Sequence, residues 1–370
     1  MNNRFLLLAG ATALLLSCAN PVDVPSTSAD SPRASADIPR TADGKPDLTG
    51  TYDTATVTPV ERPEELGDLL TLTEEKGREI AAKVAAEKAA GDAVSDVDRE
   101  APPAGGDGSA GAAGNVGGYN TFWVDAGDTA IKIDGEYRTS ILIDPTNGRY
   151  PEMTAAGGLR RAKLFRQFSK GNRGDAWWVE EGGPGPYDDP EILTLSDRCL
   201  LGFGSTGGPP MLPVLYNNLK RIVQTPDHVM ILIEMVHDAR IIRLNSEHVD
   251  ESVRSWLGDS IGWWEGDTLV VDTTNFKDRS ALYGASRDLH VVERFERLDE
   301  DTLLYSFTVD DPNTWTAPFS GEYPWPTADT RLYEYACHEA NYAMEGILRG
   351  ARLLEKEAMA AMEGGPAAGD

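Results

Sequence analysis

A chain of 370 residues with 60 Asp+Glu against 34 Lys+Arg carries a formal net charge of −26, which suits neither a phosphate backbone nor an anionic lipid surface, so nucleic acid is not an expected partner. Hydrophobic residues at 41% and charged residues at 25% fit a globular protein with a sizeable core, while 37 Gly and 23 Pro announce many turns and some unstructured chain. Two or three domains are expected at this length unless one large β-barrel or sandwich takes most of the chain.

Residues 1–17 pass from a polar start containing Arg4 into the apolar run Phe5 to Leu16, which is too short for a permanent bilayer span and reads as a signal peptide. The run ends in Leu15-Leu16-Ser17-Cys18, which resembles a bacterial lipobox and implies lipidation of Cys18 as the first mature residue. Ala19 in the next position is similar to lipoproteins sorted to the outer membrane of Gram-negative bacteria. The expected address is therefore the cell envelope, facing the periplasm, with membrane contact through the acyl chains alone. Residues 18–40 are rich in Ser, Pro, Ala and Asp and predict a disordered tether.

The folded part is expected to begin at Thr41 to Tyr52, where turn residues lead into a short strand. Thr71 with Glu74 three residues on is a capping-box pattern, and Ile80 and Val84 sit four apart in an Ala-rich run ending before Gly91, which together predict a helix. Segment 41–100 is thus read as an N-terminal piece packed on the main domain. Residues 101–118, dominated by Gly and Ala, read as a flexible loop. Residues 119–340 change character. Ile131–Ile133, Arg138–Ile143, Leu219–Gln224, Val229–Glu234, Ala239–Leu244, Leu269–Thr273, His290–Glu296 and Leu303–Val309 are short β-branched or alternating runs separated by turn signals. They predict a mainly β fold, an antiparallel meander forming a β-barrel or sandwich, with peripheral N-terminal and C-terminal helices. Gly262 to Asp272 is its clearest hairpin, turning at Glu265-Gly266-Asp267. Segment 341–370 predicts a helix and tail, with Ile347, Ala351, Leu354 and Met362 on one stripe of Tyr342 to Met362. With Cys18 committed to lipid, Cys199 and Cys337 remain in a compartment where disulfides persist, and a bridge between them is expected.

Four segments carry a resemblance: Arg40 to Gly50 (RTADGKPDLTG), Arg138 to Asp144 (RTSILID), Leu257 to Phe276 (LGDSIGWWEGDTLVVDTTNF) and Tyr333 to Tyr342 (YEYACHEANY). They resemble a group of uncharacterised exported bacterial proteins plentiful in soil and marine bacteria. The resemblance spans roughly residues 40 to 352; it implies export and a shared β-rich fold and brings no activity with it.

Five histidines, at 228, 237, 248, 290 and 338, match no metal-ligand spacing, and no motif assigns a metal or cofactor. The candidate acid, base or metal-binding groups are His338 and Glu339, which a Cys199–Cys337 bridge would hold on a rigid platform, and His237 and Glu234 near a strand end. Glu234 and Glu293 lie in apolar strands, where burial raises a carboxyl pKa unless an arginine such as Arg240 or Arg294 pairs with it. Candidate ligand-binding residues are Tyr216, Asn217 and Asn218 after the Gly/Pro-rich loop 202–210, Asn341 beside His338, and the aromatics Trp263 and Trp325. The pairs Trp177-Trp178 and Trp263-Trp264, read as strand residues, are each expected to place one ring inward and one outward. Tyr323 to Pro326 reads as a polyproline-like pocket wall. Ser205 lacks the GxSxG elbow of a serine hydrolase. The leading functional expectation is an exported lipoprotein that binds a small or oligomeric ligand, such as an oligosaccharide, in a β-barrel or sandwich pocket. The alternatives are a periplasmic hydrolase or lyase acting on a carbohydrate or other extracellular compound, and an envelope structural or assembly component.

Overall fold

The computed structural model describes residues 38–91, 98, 124, 127–166, 174–182 and 184–363. The signal peptide at 1–17, Cys18, most of the tether, Trp123 and the loop 101–118 lie outside them. In chain order come β1 (Gly50–Asp53), β2 (Thr71–Leu72), α1 (Glu74–Gly91), β3 (Lys132–Ile133), β4 (Glu136–Arg138), β5 (Leu142–Asp144), α2 (Ala155–Leu164) and α3 (Trp177–Glu181). Then follow β6 (Leu219–Gln224), β7 (His228–Ile233), β8 (Ala239–Leu244), β9 (Asp259–Glu265), β10 (Thr268–Thr274), β11 (His290–Arg297), β12 (Thr302–Asp310), β13 (Phe319–Pro326) and α4 (Tyr342–Met362). One sheet of ten strands runs in the order β1-β6-β7-β8-β9-β10-β11-β12-β13-β5, and a small one in the order β2-β4-β3. The large sheet curls into a half-barrel, and its first strand meets the end of β13 through a bridge between Tyr52 and Thr327. The mainly β expectation holds, as does the helix at the C-terminus.

Alternation drives the curl. Along β11, Val291, Glu293, Phe295 and Arg297 are buried while His290, Val292, Arg294 and Glu296 are half-buried, so every second side chain enters the core. The expected hairpin also forms: Thr268 lies opposite Glu265, and Gly266, at φ 61°, takes the left-handed turn position that a side chain would oppose. Where the residues read differently, a local reason is visible. Run 138–143 divides between β4 and β5, which belong to different sheets. Thr71 is engaged in β2, opposite Arg138, so Thr73 caps α1 instead and accepts from Lys76 N at 3.3 Å. Trp177 and Trp178 stand on α3, not on a strand; both are buried, against Ala351, Leu354 and Ala358 of α4. Met362, placed on the docking stripe, is exposed instead. One pairing, β8 with β9, is parallel within the otherwise antiparallel sheet, because the chain from 245 to 258 crosses back before β9 begins. Tyr323 to Pro326 belongs to β13, and Trp325, expected at a pocket wall, is fully buried and stacked on Tyr305 with centroids 4.6 Å apart.

The core has a polar centre. Arg240 of β8 and Glu293 of β11, exposed by only 1% and 0%, form two hydrogen bonds of 3.0 and 2.5 Å. Thus Arg240, and not Arg294, is the partner of Glu293; Arg294 pairs with Glu265 at 2.7 Å. Tyr305 donates to Glu293 at 2.7 Å and accepts from Met211 N at 2.8 Å, while Tyr323 donates to Met211 O at 3.0 Å. The chain after Gly208-Pro209-Pro210 is therefore fixed inside the curl, and Tyr305, Tyr323 and Trp325 fill its interior. The expected bridge joins Cys199 to Cys337 across 138 residues. A loop of that size contributes roughly 4 to 5 kcal/mol in the chain-entropy account.

Replacing Glu293 by Gln leaves the Arg240 charge buried without a counter-charge and is expected to cost about 3–5 kcal/mol. The pair Arg240→Met with Glu293→Leu should recover most of it. Urea denaturation of the single and double variants checks this, and a single-variant loss below about 1 kcal/mol would contradict the assigned role.

Candidate functional site

Residues singled out from sequence as acid, base or ligand groups are largely engaged in holding the chain. Glu234 is buried where β7 ends, and its carboxylate accepts from Tyr333 N at 2.9 Å. His237 Nδ1 lies 3.2 Å from the carbonyl of Tyr335. These two contacts bring the β7 end against the segment that carries Cys337, His338 and Glu339, yet His338 and Glu339 themselves point to solvent. Asn341 caps α4: its Oδ1 accepts from Met344 N at 3.2 Å and its Nδ2 donates to Asp197 O at 2.9 Å. Asn217 takes a left-handed φ of 54°, and Asn218 staples the loop through both the N–H and the carbonyl of Val214. Tyr216 lines an apolar hollow of about 690 Å³ with Phe203, Leu215 and Met235. Trp263 keeps to the outer face of β9 and donates to Glu265 at 3.0 Å, while its neighbour Trp264 packs on the core, so this pair divides as expected. On β6, Lys220 is fully buried, and desolvation pushes its ammonium down to about 7 despite Glu234 and Asp53.

A second polar group was not anticipated. On the outer face of β9, β10 and β11, His248 Nδ1 meets Asp259 at 2.9 Å, His248 Nε2 meets Asp272 at 2.8 Å, and His290 Nε2 meets the other oxygen of Asp272 at 2.7 Å. Arg243 closes the row with two bonds of 2.9 Å to Asp259. Carboxylates only accept, so an imidazole between two of them must donate from both nitrogens and is held as the cation. The hydrogen bond of Asp272 raises the pKa of both histidines against burial. Burial works to raise Asp272 itself, but the two histidines hold it at about 2. These contacts join residues 11 to 24 positions apart in sequence, and only the register of the hairpin and of β11 brings them together. Among the described residues no group of three or more His, Cys, Asp or Glu side chains is arranged to hold a metal ion.

A larger concavity lies elsewhere, where α2, the strip at Pro184 to Pro186 and the loop from 278 to 288 surround a cleft of about 860 Å³. Its walls include Arg160, Lys163, Arg166, Arg279 and Arg287 against only two acids, Asp278 and Asp288. Buried Asp311 builds the floor, accepting from Ser286 N at 2.6 Å, Ser286 Oγ at 2.9 Å, Asn313 N at 3.2 Å and Thr314 Oγ1 at 2.7 Å. Helix α2 seats on that floor because Gly157 passes so close to Thr314 that a Cβ would come within 2.6 Å of its carbonyl. Arg160 then reaches across, donating to Gly284 O at 3.0 Å, Asn313 O at 2.8 Å and Thr314 Oγ1 at 2.6 Å. Arg279 donates to Glu191 O at 2.8 Å and Leu193 O at 3.2 Å. Neutral carbonyls and a hydroxyl fix both guanidinium groups, so their positions are set while no ion pair among the described residues takes up their charges. Arg287 is only loosely associated with Asp278, at 3.9 Å, and Lys163 is exposed.

No protein-family model, curated protein or solved structure matches the chain.

The histidine row makes stability depend on pH. Because folded His248 and His290 have raised pKa values, their contribution is complete below the unfolded value, roughly 6.5, and is lost as pH rises through the folded values. Urea unfolding at pH 6 and pH 9 should therefore show a larger loss in the native protein than in His248→Gln; equal losses would remove the histidine from this role.

Proposed function

We propose that the protein is an exported binding protein, carried on a lipid at Cys18, whose basic cleft retains an anionic small molecule. The observation that supports this most strongly is the distribution of charge: a chain with 60 Asp+Glu and 34 Lys+Arg gathers five cations around one concavity and fixes two of them through neutral acceptors. Against a negative surround, such a cleft focuses field on whatever anion enters it. Its size is that of an ordinary small-molecule site. This reading moves the ligand site from the barrel interior, where the sequence suggested it, to the loops and α2 outside the curl, and the aromatic side chains that occupy the interior support the change.

Calorimetric titration with inorganic phosphate, citrate and galacturonate tests the cleft. At least one should bind, with an affinity that falls as salt is added, and Lys163→Glu or Arg287→Glu should weaken it about tenfold, roughly 1.4 kcal/mol. Neither residue supports the fold, so a loss cannot be blamed on unfolding. Absence of binding, or binding indifferent to both substitutions, would reject the reading. The anchor has its own check: Cys18→Ser should move the protein from the membrane fraction to the soluble periplasmic fraction, and an unchanged distribution would rule out lipid attachment there.

A further inference from the structure

We infer that the cleft is one end of a longer trough and that its occupant is an acidic oligosaccharide, a short chain of carboxylated sugars. The inference rests on the anion-binding reading and extends it to the length and class of the ligand. Past Arg279 and Arg287 the surface continues into a second hollow of about 520 Å³, and these two residues line both. The second hollow contributes Arg198, Arg254 and Lys277. Arg198 pairs with Glu191 at 3.1 Å, while the other two cations are positioned by neutral groups. Arg254 donates to Phe276 O at 3.1 Å and Arg287 O at 2.7 Å, and its Nε is buried with no partner among the described residues. Lys277 Nζ sits 4.4 Å above the ring of Trp256, a contact that holds its place and leaves its charge.

Cations on both sides of a shared wall exceed what one small anion can neutralise and match a ligand whose charge repeats along its length. The acids of the trough narrow its chemistry. Asp189, Glu191, Asp278 and Asp288 lie among the cations. A bare polyphosphate has no donors to offer them and would be repelled, whereas sugar hydroxyls donate to carboxylates. Carboxylated sugars carry both complements: an anion for the cations held by neutral groups, and hydroxyl groups for the acids that stand between them. Multiple engagement along one chain then raises affinity without any single strong contact.

The test is calorimetry of the full chain with galacturonate and its linear oligomers up to six units, with a neutral glucose oligomer and inorganic polyphosphate as comparators, all at one ionic strength. The dissociation constant should fall at least tenfold from the monomer to the tetramer, and the neutral oligomer should not bind. Lys277→Glu should abolish that gain while leaving monomer affinity and the melting temperature in place. Equal affinity at every length would overturn the trough and leave the anion-binding cleft standing. Binding of phosphate or citrate with no uronate bound, or tighter binding of polyphosphate than of the tetramer, would overturn the sugar assignment alone. Failure of every anion to bind would overturn both.

Discussion

The curled sheet depends on one ion pair. Arg240 and Glu293 come from strands separated by β9 and β10, and either charge buried in that interior without the other would be strongly destabilising. Their meeting requires the sheet to bend until β8 faces β11, so the pair specifies the curl as well as occupying it. Ser260 and Thr273, one from each intervening strand, lie within reach of the same guanidinium at 3.3 and 3.5 Å. A shift of one residue in any of these strands would turn a polar side chain out of the centre and an apolar one toward solvent. Tyr305 then transmits the arrangement outward, since its hydroxyl binds Glu293 on one side and the backbone of Met211 on the other. In this way a long irregular segment, with few strands of its own, receives its position from the core.

The cleft obeys a similar logic with a different acid. Asp311 binds two loops through four donors, and those loops, with α2 seated on them, place the arginines. Here the carboxylate organises backbone and hydroxyl groups and spends none of its charge on an arginine. The guanidinium groups of Arg160 and Arg279 are oriented by carbonyls, which carry no net charge, and their field is left directed into the concavity. The histidine row on the outer face of the sheet is the contrary case: there charges of opposite sign are consumed by one another, and the result is a brace between β8, β9, β10 and β11.

Much of the strand pattern was legible. Run His290 to Glu296 alternates visibly, the Glu265-Gly266-Asp267 turn fixes its hairpin, and the stripe Ile347, Ala351, Leu354 marks α4 within Tyr342 to Met362. The bridge followed from counting cysteines. Tyr323 to Pro326 misled because two prolines suggest an edge or a loop. Within the sheet β5 pairs with β13 only at Ser320 and Gly321, so Pro324 and Pro326 stand where that side asks for no N–H, and Trp325 between them turns inward. The sites were the least legible part. Histidines 248 and 290 share no spacing motif with Asp259 and Asp272, although both aspartates lie within one hairpin whose register was readable. The cleft joins residues from 160 to 313 through loops, where no periodicity operates, and only a map of cations against neutral acceptors reveals it.

The Cys199–Cys337 bridge has a mechanical meaning as well as a thermodynamic one. Strands β6 through β13 all lie between the two cysteines, whereas β1 and β5 lie outside. Tension applied between the ends of the chain crosses the bridge directly and never loads the backbone of those eight strands. Pulling would instead peel β1 from β6 and draw β5 from β13, while the enclosed part of the sheet stayed slack. A chain held at one end to a moving surface would thus yield at its margins and keep its centre.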